Sequence, residues 1–257
     1  MNSSANFPRH NLIQCSIVLL VATAIAAGFV FPSGWNFAAI SVFLTLLMVQ
    51  IGRAIVGPSF GVLISDLNVV SLSRFQMALW TVLILSAYLA HAITRIKDGD
   101  GLNSLNVGID THLWVLMGIS TTSLVASPLI LNTKKDQEPD VGVQAKTAAA
   151  AGDTEAEVNN NRQGIVYANS NKADARLTDM FQGDELGNAT LVDLAKVQMF
   201  YFTIIAAVAF FAAVFHNLFV SGDLARLPTL SDGFIAVLGI SHAGYLGSKG
   251  VNHTPIQ

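Results

Sequence analysis

Long apolar stretches alternate with short polar breaks along most of this chain of 257 residues. A bilayer core about 30 Å thick needs roughly 20 apolar residues in a helix, and six stretches reach that length. Proline closes the first two, at Pro32 and Pro58, where a helix does not readily continue. The pattern predicts six membrane-spanning helices, over residues 12–31, 35–56, 74–93, 111–131, 194–220 and 232–251.

Two pairs of these stretches carry related sequences at nearly the same offset. Arg-Phe-Gln-Met at 74–77 recurs as Lys-Val-Gln-Met at 196–199, and Gly-Ile-Ser recurs at 118–120 and 239–241. Both copies start on the same side of the bilayer, so the sequence predicts an all-α integral membrane protein with a parallel internal duplication of a two-helix unit. The predicted divisions are two N-terminal helices (1–56), repeat unit 1 (57–131), a flexible acidic loop (132–176) and repeat unit 2 (177–257).

Composition and charge support a membrane location. The chain is 52% hydrophobic and 12% charged, whereas soluble domains carry about 25% charged residues. With the N-terminus inside, eleven of the fourteen basic residues fall on the inner side, which the positive-inside rule favours. We therefore expect a bacterial inner-membrane protein with both termini cytoplasmic. The first helix exceeds the roughly 7–15 residues of a signal peptide core and is expected to be retained. A net charge of −3 without a basic patch excludes a nucleic-acid partner.

One long polar segment, 132–193, holds eleven of the seventeen acidic residues. Low hydrophobicity with excess charge predicts disorder over its first two-thirds, because such a segment buries too little apolar surface to offset its ordering entropy. A sparse apolar face follows in the last third, with Leu177, Met180, Phe181 and Leu186. This segment, or the short juxtamembrane elements that precede the third and fifth spans, is the predicted contact region for a cytoplasmic protein partner.

Small residues recur every four positions in the fourth and sixth stretches. This spacing lets helix backbones approach closely inside a bilayer, where no hydrophobic force drives association. The pattern predicts a helix-packing role and a homo-oligomer. The residues concerned are Gly118, Thr122, Ala126, Gly239, Ala243 and Gly247.

Polar residues at the start of the third and fifth helices are interpreted first as anchors and packing groups, and a headgroup or ligand site formed by the two Arg/Lys-x-Gln elements is the alternative. Arg74 and Lys196 are expected to anchor these helices at the interface, with the charged ends reaching toward water. Gln76 and Gln198 lie about one turn deeper. Unpaired amides are costly there, so we expect them to bond to hydroxyl or backbone groups of a neighbouring helix.

His242 is a titratable side chain near the centre of the predicted sixth span. Such a group suggests a functional site, but a neutral histidine bonded to a serine or threonine across a helix interface explains it equally simply, and we favour that interpretation. Ser120 and Ser241 occupy matching positions in the two copies. Together with His242, Gln76 and Gln198 they form a candidate polar or lumen-facing site. No spacing of His, Cys, Asp or Glu indicates a metal or cofactor.

The favoured function is non-enzymatic: a self-associating membrane scaffold or anchor for a cytoplasmic partner. An oligomeric channel lined by the polar residues is the first alternative. The second is an intramembrane serine hydrolase, because Gly118, Ser120 and His242 are similar in outline to the serine–histidine dyad of rhomboid proteases. That resemblance implies Ser120 as nucleophile and His242 as base. It covers two short motifs, and Thr121 stands where that family has glycine.

Overall fold

The computed structural model describes residues 7–220 and 222–257, with side chains from residue 13 onward. The predicted cytoplasmic N-terminus, residues 1–6, lies outside this part of the chain. Helices dominate the described residues. They are α1 (Phe7–Val30), α2 (Trp35–Ile55), α3 (Leu72–Lys97), α4 (Thr111–Asn132), α5 (Val141–Ala151), α6 (Glu155–Asn160), α7 (Leu194–Phe219) and α8 (Asp232–Gly250), together with a short hairpin of β1 (Arg162–Gln163) and β2 (Val166–Tyr167).

Five helices in the described ranges are long and apolar enough to cross a membrane: α1, α2, α3, α4 and α7. The all-α class is therefore confirmed, and the chain has the several apolar helices of a multi-pass membrane protein. The predicted sixth stretch is also helical, as α8, but it carries His242, Tyr245 and Lys249 and does not belong to these five. Six spans thus stay a prediction.

Helix lengths and offsets in the two predicted repeats agree closely. α3 and α7 each contain 26 residues, and their first residues, Leu72 and Leu194, are separated by the offset found in the sequence. α4 begins at Thr111 and α8 at Asp232, also near that offset. The duplication itself stays a prediction.

The described chain divides into two compact units. Unit 1 has a core of buried aromatic and aliphatic side chains, in which the Trp80 and Phe210 rings make an edge contact with centroids 6.3 Å apart. A polar contact joins α2 to α3 in this core, where Asn36 Nδ2 donates to Thr94 Oγ1 at 3.1 Å. Unit 1 comprises Met1–Val62, Ala78–Thr111 and Ala207–Thr229, and unit 2 comprises Leu63–Met77, His112–Ala206 and Leu230–Gln257.

The polar segment belongs to unit 2 and has a core of its own. Val143 of α5 and Val158 of α6 pack with Leu186 in a buried cluster. Thr154 caps α6 in a reciprocal arrangement with Glu157, which satisfies the free amides of the helix start. The sequence-based prediction that residues 132–176 form a flexible loop without a core was therefore wrong: apolar residues far apart in sequence come together and bury one another.

The last residues of the chain pair with this polar segment. Ile256 forms an antiparallel bridge with Pro139, and the Asp140 amide donates to the Pro255 carbonyl at 2.9 Å. The Gly187 amide donates to Thr254 Oγ1, also at 2.9 Å. Residues that follow α8 are thus part of the same folded region as residues 132–193.

Candidate functional site

The inner faces of α4 and α8 carry a line of hydrogen-bonded polar side chains in unit 2, which we call the polar seam: Ser123, Ser127, His242 and Tyr245. His242 Nδ1 lies 2.6 Å from Ser123 Oγ, and both side chains are buried. One turn further along α8, the Tyr245 hydroxyl lies 3.3 Å from Ser127 Oγ and 3.2 Å from Ser73 Oγ at the start of α3. The seam therefore links three helices through hydroxyl and imidazole groups.

The polar seam ends at a set of charged side chains, which we call the charged cluster: Lys134, Asp184, Glu185, Lys196 and Lys249. Lys249 occupies the last turn of α8, with its ammonium 4.9 Å from the centre of the Tyr245 ring. Asp184 accepts from Lys249 at 2.6 Å and from Lys196 at 2.9 Å. One carboxylate of the polar segment thus holds the end of α8 and the start of α7.

The second acid of the cluster, Glu185, forms a fully buried pair with Lys134. Their charged atoms lie 2.5 Å apart, and the two side chains are 2% and 3% exposed respectively. Glu185 also accepts from the amides of His253 and Thr254 at 2.8 Å, while Lys134 donates to the Val251 carbonyl at 2.7 Å. Every charge here has several hydrogen-bond partners, as a buried ion pair requires.

Electrostatics within the charged cluster favour the ionised form of its acid. Burial by itself raises the pKa of the Asp184 carboxyl, but the ammonium groups of Lys196 and Lys249 lower the pKa by more, so it lies well below its usual range. Asp184 is therefore an anion under all ordinary conditions. Two lysines share this single carboxylate, which leaves one excess positive charge at the junction.

His242 lies beside a serine of a neighbouring helix, which is the contact that the favoured interpretation predicts. Ser120 and Ser241, the other members of the predicted polar site, are buried, and neither hydroxyl has a hydrogen-bond partner among the described residues. The partner of His242 is thus Ser123. The hydrolase alternative requires Ser120, three residues earlier in α4.

The two glutamines of the repeated motif have different surroundings. Gln76 is buried, and its Nε2 donates to Thr203 Oγ1 at 2.6 Å, which confirms the expected bond to a hydroxyl of a neighbouring helix. The Thr203 hydroxyl in turn donates to the Met199 carbonyl at 2.8 Å. Gln198 is exposed, and its amide has no hydrogen bond to a neighbouring helix among the described residues, so the expected bond is not found at this position.

The predicted anchors also differ from one another. Arg74 is exposed near the start of α3, as an anchor should be. Lys196 is 4% exposed, and its ammonium binds Asp184 and the Gln182 carbonyl. The anchor interpretation of Lys196 was therefore wrong. Its ammonium group pairs with a carboxylate of the polar segment and does not extend into water.

The small residues of α4 and α8 lie largely on the outer faces of these helices. A side chain placed at Gly118 or Gly247 would meet nothing within 4 Å, and Thr122 and Ala243 are exposed. Gly239 and Ala126 are partly buried, with Ile119 the nearest neighbour of Gly239 at 3.8 Å. The contacts between α4 and α8 instead run through the polar seam, where His242 meets Ser123 and Tyr245 meets Ser127.

No family model matches this chain, and neither the curated proteins nor the solved structures include a significant match. Among the described residues, no group of three or more His, Cys, Asp or Glu side chains is placed to hold a metal ion.

Sequence reasoning missed the charged cluster. Its signal was present as lysines at or just beyond three helix ends, Lys134, Lys196 and Lys249, facing an Asp184-Glu185 pair in the acidic segment. Lysines at the ends of helices can form ion pairs with acids that are distant in sequence, and not only with lipid headgroups.

Proposed function

We propose that this chain is a non-enzymatic, self-associating membrane scaffold that presents a rigid platform to a cytoplasmic protein partner. The observation that carries the proposal is the charged cluster. Asp184 and Glu185 fix the folded polar segment to the ends of helices through buried ion pairs. A segment held in this way offers a preformed binding surface, which lowers the entropy cost of docking.

The proposed topology has six spans, with a parallel duplication and both termini cytoplasmic in a bacterial inner membrane. The asymmetry of basic residues supports this orientation. The equal lengths of α3 and α7 support the duplication. The lower hydropathy of α8 has a structural reason. His242, Tyr245 and Lys249 have polar partners inside the protein and need no contact with lipid.

Self-association is proposed to use the exposed small residues of α4. Thr121 and Thr122 are exposed, but their hydroxyls donate at 2.8 Å to carbonyls of their own helix, those of Met117 and Gly118. Both hydroxyls on this face of α4 are therefore hydrogen-bonded, so the face can contact lipid or a second helix at little cost. Close approach at Gly118 follows the small-residue mode of association in membranes.

The channel alternative rests on the same exposed threonines, which a ring of subunits could direct at a lumen. The buried polar groups give it less support, because Ser123, His242 and Tyr245 bond across a helix interface within one chain. For the hydrolase alternative, Ser120 has no hydrogen-bond partner among the described residues and so no base.

The oligomeric state in nanodiscs tests the proposal. Single-molecule photobleaching of the labelled full chain is expected to show more than one copy per disc. Gly118→Leu should reduce the number to one, because the larger side chain prevents close helix approach. Val208→Leu, at an exposed position of α7, is the matched control and should keep the wild-type number. A wild-type chain that is always monomeric would refute self-association.

A further inference from the structure

A small cavity in unit 2 lies where the chain before α3 approaches the ends of α4 and α8 and the start of α7. Its volume is about 70 Å³, and Arg74, Lys135, Lys196 and Lys249 supply its basic side chains. One water occupies about 10–15 Å³ by this measure, and pockets for drug-sized ligands have about 300–1,000 Å³. The cavity therefore has the size for one small polyatomic group.

Pairing inside the cavity leaves positive charge unmatched. Asp184 is the one carboxylate for both Lys196 and Lys249. Lys135 has its own partner, because its ammonium lies 2.9 Å from an Asp66 carboxylate oxygen. The lining thus contains four basic side chains against three acids, Asp66, Asp179 and Asp184, and an uncompensated positive charge beside buried groups is costly.

Arg74 accounts for the unmatched positive charge of the cavity lining. Its side chain is exposed, and no described residue forms a hydrogen bond or ion pair with it. The third acid of the lining, Asp179, accepts from the amides of Val70 at 3.1 Å and Arg176 at 2.8 Å, and its electrostatic partners are Arg176 and Lys196. A guanidinium presents five N–H donors in a planar fork that matches the oxygens of a phosphate group.

The first turn of α3 adds backbone donors beside this guanidinium. α3 begins at Leu72, and the amide of Phe75 donates to the Ser71 carbonyl at 3.0 Å. The amides of Leu72 and Arg74, two residues of the cavity lining, precede that bond. Amides at a helix start attract anions, since they point out of the helix and lie at the positive end of its dipole.

We propose that this cavity binds a phosphate group, with Arg74 as the principal ligand. A phosphate supplies the negative charge that the lining lacks beside Arg74, and it has the size that the cavity accepts. The group comes either from the headgroup of a phospholipid or from soluble phosphate. Recognition is the same in both cases, and it is independent of whether the chain acts as a scaffold.

The test uses the full chain purified in detergent, with two probes. Inorganic phosphate is titrated while the unfolding temperature is recorded, with chloride at equal ionic strength as the reference. Phosphatidylglycerol, and a diacylglycerol without phosphate, are added separately and the bound lipid is counted by native mass spectrometry. Arg74→Gln is the test variant. Arg53→Gln is the matched control, since Arg53 is also an exposed arginine near a helix end and lies outside the cavity.

Saturable stabilisation by phosphate identifies soluble phosphate as the ligand, and selective retention of phosphatidylglycerol identifies the headgroup. In either case Arg74→Gln should weaken binding by about tenfold or more, as expected for loss of a charged hydrogen-bond donor, while Arg53→Gln leaves it unchanged. Arg74→Lys keeps the charge without the fork and should give an intermediate affinity, so the proposal stays testable if the glutamine variant does not fold. No binding of either probe by the wild type, or equal binding by Arg74→Gln, overturns the proposal.

Discussion

The carboxylate of Asp184 lies 2.6 Å from the ammonium of Lys249 in the last turn of α8. Asp184 comes from the polar segment, 65 residues earlier in the chain. The same carboxylate accepts from Lys196 in the first turn of α7. One acidic side chain thus holds together three parts of unit 2 that the sequence separates widely.

Removing the charge of Asp184 should destabilise unit 2 strongly. Asp184→Asn keeps the shape of the side chain but leaves two buried ammonium groups without a counter-charge, and breaking a buried pair in this way costs about 3 kcal/mol or more. Asp66→Asn is the control: its carboxylate is 54% exposed in its pair with Lys135, so the loss should be below about 1 kcal/mol. Chemical unfolding of the detergent-solubilised variants measures both values. Equal losses would show that the cluster is solvated.

Acid should remove the contribution of Asp184. Because its pKa in the folded chain lies below the ordinary value, the carboxylate stabilises the fold above the carboxyl pKa of an unfolded chain, about 4. That contribution is lost as the pH falls from there toward the folded-state pKa. The difference in unfolding free energy between wild type and Asp184→Asn should therefore be constant from about pH 7 to pH 5 and shrink below about pH 4. A difference that stays constant down to pH 3 would contradict the coupling.

The core of the polar segment gives a matched pair of variants in α5. Val143 is 7% exposed and packs against Leu186, whereas Val141 is 77% exposed. Val143→Ala should cost about 2 kcal/mol through the cavity that it leaves, and Val141→Ala should cost almost nothing. Limited trypsin digestion of residues 132–193 measures the difference as a faster cleavage of Val143→Ala. If both variants and the wild type are cleaved equally fast, the segment has no stable core.

The contact between Ser123 and His242 should contribute measurably to helix packing. Ser123→Ala removes the hydroxyl partner of the buried imidazole, and we expect a loss of about 1 kcal/mol, toward the upper range for hydrogen bonds between membrane helices. Thr122→Ala is the control, because the Thr122 hydroxyl donates to its own helix. A double-mutant cycle with His242→Ala isolates the coupling energy. Additive losses would mean that the two side chains do not interact.

The helices could be predicted well from the sequence, and the polar segment could not. Apolar length and helix-breaking proline are local signals, so the predicted limits of the second and fourth stretches agree with α2 and α4 within about one residue. That a buried imidazole needs a hydrogen-bond partner can also be inferred from the residue alone. The sequence therefore predicts a serine or threonine as the partner of His242. The identity of that partner, Ser123, depends on how α4 and α8 pack.

The fold of the polar segment depends on contacts between distant residues. Val143, Val158 and Leu186 are too sparse to give a periodic pattern, but they meet in one cluster. Asp184 and Glu185 add to the excess charge that indicates disorder, yet each is paired with a lysine at or just beyond a helix end. The composition of a segment does not show which of its acids form ion pairs with basic residues in other parts of the chain. A segment whose acids are paired in this way is therefore wrongly predicted to be unfolded.

The most direct test of the proposed scaffold is site-specific photo-crosslinking in cells that naturally contain this chain. A photoreactive residue at Leu177, which is exposed on the polar segment, should give a discrete adduct whose mass is not a multiple of the chain. The adduct should disappear in Glu185→Ala, which releases the segment from Lys134. The same residue at Leu102, exposed between α3 and α4, should give none. Correctly inserted protein that forms no adduct from Leu177 would contradict the claim that this segment is a platform for a partner.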